Sequence, residues 1–135
     1  MIPFTLLQKR YLFGFSLLAW MLVIFAFSSI HGSGSPYASP LWFILERKGA
    51  HVVEYLILAL LALCFLSSYR ERGRMRRFLY GIVSCFCMAY AFSDEIHQFF
   101  VFGREARFTD VLIDFIGASI GMMVFFFWRE KKSPR

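Results

Sequence analysis

Four apolar stretches, each close to twenty residues long, constrain this chain more than anything else in it. The first, YLFGFSLLAWMLVIFAFSSI from Tyr11 to Ile30, carries no charge. The second runs from Gly49 to Ser68, the third from Phe78 to Gln98 and the fourth from Thr109 to Trp128. A helix of ~20 residues crosses the ~30 Å hydrocarbon core of a bilayer, so each stretch predicts a membrane-spanning helix. Composition excludes a soluble alternative. Hydrophobic residues make up 59% of the 135, and Phe alone occurs 18 times; soluble domains average roughly 45–50%, and one this small has too little interior to hide the excess. The expectation is an all-α, polytopic membrane protein: a single domain over residues 1–135, folded as a four-transmembrane-helix bundle (spans 11–30, 49–68, 78–98 and 109–128) with short outer interfacial segments. Lys9 and Arg10 resemble the start of a secretory signal, but the apolar run is long and no clear small-x-small cleavage site follows it, so the first span is expected to be retained.

Lysine and arginine set the direction of insertion. With four crossings, one side collects Lys9, Arg10, Arg70, Arg72, Arg74, Arg76, Arg77, Arg129, Lys131, Lys132 and Arg135, which is 11 of the 15 basic residues, beside only Glu71 and Glu130. The other side holds Arg47, Lys48, Arg104 and Arg107 beside the seven remaining acids. Both termini are therefore expected in the cytoplasm, with two outer loops. The net charge of +6 then serves topology and contact with anionic lipid; no basic platform interleaved with aromatics supports nucleic-acid binding. Cys64, Cys85 and Cys87 all lie in apolar runs and read as small apolar filler. Of the outer connections, HGSGSPYASP predicts a turn, PLWFILERK a short amphipathic helix along the interface, and FFVFGR places Phe99, Phe100 and Phe102 at headgroup depth.

That topology gathers the polar residues at one depth. His51 and Glu54 open the second span at its outer end, one helical turn apart on one face. Asp94, Glu95, His97 and Gln98 close the third span there, Asp110 and Asp114 open the fourth, and Ser28 and Ser29 finish the first. Single residues have structural explanations: Thr109 or Asp110 as a helix cap, Asp94 and Glu95 as water-facing ends. Glu54 and Asp114 lie inside apolar runs, where an ionised carboxylate needs a cation, donors or a proton. The cluster as a whole predicts a functional pocket. Asp110, Asp114, Gly117 and Gly121 fall at intervals of four, three and four and share one helix face. The Gly117/Gly121 step permits close helix contact and turns Asp114 inward, with Lys48, His51, Arg104 and Arg107 as its available partners.

The pieces FSS (27–29), KGAHVVEY (48–55), SDEIHQFFVFGR (93–104) and DVLIDFIGASIG (110–121) stand in the order found in the VanZ-like family of small bacterial membrane proteins, which this chain resembles. The resemblance implies an integral protein of the bacterial plasma membrane and marks Lys48, His51, Glu54, Tyr55, Asp94, Glu95, Gln98, Arg104 and Asp110 as positions of interest. It also brings in teicoplanin, a lipid-tailed glycopeptide antibiotic, because the member that names the family is linked to resistance against it. The chain departs from the family at Asp114, where Asn is frequent, and at Phe102, where Pro is frequent.

Two functions are consistent with these residues. In one, the pocket binds a lipid-linked envelope headgroup or a lipoglycopeptide of the teicoplanin type. Lys48 and Arg104 would suit phosphate or carboxylate; Ser28, Ser29, Tyr55, Gln98, Asp110 and Asp114 would complete the ligand-binding set. In the other, a membrane-embedded hydrolase or transferase acts on a lipid or envelope precursor, with His51 as acid or base, Glu54 or Asp94 orienting it, and Glu95 as a further catalytic carboxylate. No serine has a nucleophile-elbow context. No cofactor is expected, although a divalent cation between His51, Glu54, Asp94 and Glu95 is a variant of either reading. Transport is disfavoured because the polar groups stay near one face. The expected partners are membrane lipids and an amphiphilic small molecule or lipid-linked precursor; the sequence sets no oligomeric state.

Overall fold

A computed structural model describes residues 5–31, 41–69, 74–104 and 107–132, with residues 41–44, 74–77 and 132 described by their backbone alone. The Gly/Ser/Pro-rich stretch 32–40, the connection 70–73 and Glu105 lie outside the described residues. Those residues form α1 (Leu6–Ser28), α2 (Leu41–Ser67), α3 (Arg74–Phe99) and α4 (Phe108–Lys132), and no strand. The chain is an all-α membrane protein. Among the described residues, α1, α2 from Leu45 and α4 to Lys131 are long and apolar enough to cross a bilayer; α3 is the least apolar of the four.

Local chemistry sets the ends. Thr5 and Gln8 form a capping box, the Thr5 hydroxyl accepting from the Gln8 amide (3.2 Å) and the Gln8 side chain accepting from the Thr5 amide (2.8 Å). This starts α1 five residues ahead of the first apolar run and makes Lys9 and Arg10 helical. α2 corrects one expectation. PLWFILERK was read as a separate interfacial helix, yet the chain from Leu41 enters α2 and continues unbroken to Ser67. No proline interrupts these residues, and Gly49, whose added Cβ would meet nothing, is tolerated mid-helix.

α2 is the central element. Its closest association is with α4, and α1 and α3 pack beside it, α3 also against α4. The α2–α4 approach comes down to backbone: a Cβ on Gly117 would collide with the Val52 carbonyl, and one on Gly121 with that of Leu56. The expected small-residue step is thus the helix contact itself. Tyr55, Leu58, Leu63, Val83, Val111 and Ala118 fill the core around it. The polarity is inside out. Phe15, Leu22, Ile116 and Phe127 face outward, whereas Glu54, Asp94, Gln98, Asp110 and Asp114 are buried, as suits a lipid-bathed bundle. Of the cysteines, Cys87 is core, Cys64 half-buried and Cys85 exposed; none forms a disulfide.

The helices run alternately up and down, so the C-terminal ends of α1 and α3 meet the N-terminal ends of α2 and α4. Ser29 touches His97 and Arg47 touches Asp110 at this end. At the opposite end Arg10 reaches the Ser68 carbonyl (3.4 Å) and lies over the Tyr69 ring, 4.3 Å from its centroid.

Candidate functional site

The polar end is organised in two layers. The deeper layer centres on α4. Asp114 is fully buried and its Oδ1 lies 2.9 Å from Nδ1 of His51, itself 5% exposed. A carboxylate can only accept, so Nδ1 carries the proton and donates, which leaves Nε2 as the basic nitrogen of a neutral imidazole. Asp114 is therefore the carboxylate that orients His51, in the place expected for Glu54 or Asp94. Asp94 takes up other work: its Oδ2 accepts from Gln98 Nε2 at 2.8 Å, and the same Nε2 reaches Ser28 Oγ at 3.4 Å. Glu95 Oε2 accepts the Arg107 amide at 2.7 Å, so it ties the second outer loop to α3. Among the described residues, four buried oxygens in this layer have no hydrogen-bond partner: Tyr55 OH, Glu95 Oε1, Gln98 Oε1 and Asp114 Oδ2.

The outer layer is cationic. Arg47 Nη2 and Lys48 Nζ lie 3.3 and 3.4 Å from the two oxygens of Asp110. Asp110 sits in the first turn of α4, where a negative charge also complements the helix dipole. It pairs with α2 and does not cap its own helix. Arg104 leaves the second outer loop just after Gly103, whose φ of 76° is the left-handed turn that glycine adopts without strain. Its guanidinium donates to the carbonyls of Ile30 (2.9 Å) and Phe27 (2.8 Å) at the end of α1, where the Phe27 carbonyl also takes the Ile30 amide (3.2 Å). Burial, and then neighbouring Arg47, lower the Arg104 pKa from its ordinary value, although arginine stays charged at any pH a cell meets. His97, which the sequence placed at this depth without a role, fixes the same helix end. The Ser29 hydroxyl gives its proton to the Phe25 carbonyl (2.7 Å), so His97 Nε2–H donates to Ser29 (3.0 Å) while its ring rests on Phe25, 4.4 Å between centroids.

Between the layers lies a cavity of about 240 Å³. α1 contributes Phe27 and Ser28, and Ile30 follows just past its end; α2 contributes Arg47, Ala50, His51 and Glu54; the loop contributes Arg104. Ser28, His51, Glu54 and Arg104 are thus brought together as the sequence predicted. Lys48, Tyr55, Asp94, Glu95, Gln98, Asp110, Asp114 and Ser29 do not line it.

The family model described as VanZ/LLP1 matches residues 13–129. The chain belongs to the VanZ/LLP1 family. Comparison with curated proteins and with solved structures gave no match. The match spans all four helices, so the whole polar end falls inside the VanZ/LLP1 region.

Arg47 is the lining residue that sequence reasoning passed over. It was counted only as a flanking charge. Its signal was its position: four residues before His51 and seven before Glu54, on one helical face with both. Among the described residues, no three His, Cys, Asp or Glu side chains gather as a metal site, and no step is drawn through a cation.

Proposed function

We propose that this VanZ/LLP1 protein binds the headgroup of a lipid-linked envelope molecule at the outer leaflet of the bacterial plasma membrane, with four crossings and both termini in the cytoplasm. The cavity carries this reading. Two guanidinium groups, Arg47 and Arg104, line it, and an anion held between them would answer both charges. Glu54 and His51, further along the same face of α2 as Arg47, suit a hydroxyl or amine on the same headgroup. Size narrows the ligand: about 240 Å³ falls below the roughly 300–1,000 Å³ of drug-sized pockets, enough for a phosphate-bearing headgroup and too little for a glycopeptide core. Protection against teicoplanin-type antibiotics, if the chain confers it, would then act through the envelope lipid.

Binding of glycerol phosphate to purified protein in nanodiscs, measured by calorimetry, tests this. Arg47→Ala is expected to weaken it about tenfold or more, the loss of one charge-assisted contact. Equal binding by wild type and Arg47→Ala would overturn the reading.

The His51–Asp114 pair at 2.9 Å favours a second reading, a hydrolase or transferase acting on the same lipid. Nε2 of His51 would take a proton from an attacking water or hydroxyl and return it to the leaving group. Incubation with envelope lipids followed by mass spectrometry separates the two: product that disappears in His51→Ala supports catalysis, and binding without product supports the binding module.

A further inference from the structure

Among the described residues, the hydrogen bonds that hold the end of α1 come from α3 and Arg104. Ser29 meets His97 and Ser28 meets Gln98, both on α3, while Phe27 and Ile30 give their carbonyls to Arg104. Towards α2, among the described residues, the last hydrogen bond before this end is Trp20 Nε1 to the Glu54 carbonyl at 2.9 Å. From Trp20 to Phe27 is seven residues, about 10 Å along the helix. Ile24 within that stretch is fully buried in the core, and the cavity opens beyond it, between Phe27, Ser28 and Ile30 on one side and Ala50, His51 and Glu54 of α2 on the other. Its edges on that side are Phe27 and Ile30, 51% and 57% exposed, and on α2 the exposed Ala50, with Val53 (52% exposed) one turn along the same face. These are apolar side chains on the surface that faces lipid, and they lead directly to Arg47 and His51.

We infer that the notch between α1 and α2 is a side entrance through which a phospholipid with an anionic, hydroxyl-bearing headgroup enters from the membrane, its chain lying along Phe27, Ile30, Ala50 and Val53. This rests on the proposed headgroup site and adds the route and the tail. Water-side capture would need no such apolar edge. A headgroup already at membrane depth gives up its first hydration shell to the arginines while its chain remains in an apolar surrounding.

The test uses the full chain in phosphatidylcholine nanodiscs doped with a phosphatidylglycerol whose acyl chain bears a photoreactive diazirine. Adducts are expected to concentrate on the segments carrying Phe27, Ile30, Ala50 and Val53. Val53→Trp, at an exposed position that does not line the cavity, is expected to cut that labelling about tenfold, with unchanged melting temperature and unchanged glycerol phosphate binding. Labelling spread evenly over the lipid-facing helices, with glycerol phosphate still bound, would overturn the side entrance and leave the headgroup site standing. Absence of glycerol phosphate binding, together with labelling that survives Arg47→Ala, would overturn both.

Discussion

Asp110 and Asp114 stand one helical turn apart on α4, and their partners differ in kind. Asp110 meets Arg47 and Lys48 whose side chains are 32% and 34% exposed; such pairs are worth about 0–1 kcal/mol after solvent screening. Asp114 meets His51 in a site closed to water, where removing one partner leaves the other's polar atom unpaired at a cost of about 1–3 kcal/mol, and more where the stranded group is the carboxylate. His51→Ala and Asp114→Ala should therefore each lower the melting temperature in detergent far more than Arg47→Ala. The double variant should lose less than the sum of the two, with a coupling of about 0.5–3 kcal/mol; strict additivity would show that the contact carries no energy. The sequence named every residue of this cluster except Arg47, because charges inside apolar runs stand out. It did not disclose the pairing. Glu54, Asp94 and Asp114 are all carboxylates at one depth, and only the rotation of α4 set by Gly117 and Gly121 decides which of them reaches Nδ1.

That rotation belongs to the elements. Each glycine of α4 has a carbonyl of α2 where its Cβ would go, so Gly117→Ala or Gly121→Ala must push the helices apart or turn α4. Overpacking of this kind costs about 1–3 kcal/mol, and the shift would also draw Asp114 from His51. Gly81 on α3 has open space around its added Cβ; Gly81→Ala should be neutral or stabilising by up to ~1 kcal/mol. Thermal unfolding of the three variants checks the contrast, and a Gly117→Ala as stable as Gly81→Ala would rule out the close approach. Spacing alone made this contact legible, since intervals of four, three and four place both glycines and both aspartates on one face. The start of α2 was not legible. Leu41–Lys48 has the composition of an interfacial segment, and nothing local distinguishes that from a helix already under way; the difference lies in Asp110, 62 residues on from Lys48, which gives the charged turn something to pair with.

At the scale of the molecule the open matter is α3. By hydropathy it is the weakest candidate to cross, yet its C-terminal end carries Asp94, Glu95 and Gln98, buried against the other helices. A helix that hides its polar face in a bundle needs less apolar character to sit in a membrane, so averaged hydropathy understates it. Its neighbours fix its direction as well: Ser84 meets Met122, Tyr90 donates to the Met21 carbonyl at 2.6 Å and His97 reaches Ser29, successive contacts that carry α3 along the depth of α1 and α4. With the proposed four crossings, the ends bearing Tyr69 and Phe102 would lie on opposite sides of the membrane, and the bias of 11 of the 15 basic residues would put the Tyr69 side in the cytoplasm. Tyr69 and Phe102 are both exposed, so each can be replaced by cysteine with little effect on packing; Cys64, Cys85 and Cys87 lie within the helices, and the unsubstituted chain supplies their background. An impermeant maleimide should label Phe102→Cys in intact cells and Tyr69→Cys only after permeabilisation. The reverse pattern would invert the protein. Labelling of both from one side would mean that α3 does not cross, and the cavity would then lose the depth that lets a lipid headgroup reach Arg47 and Arg104.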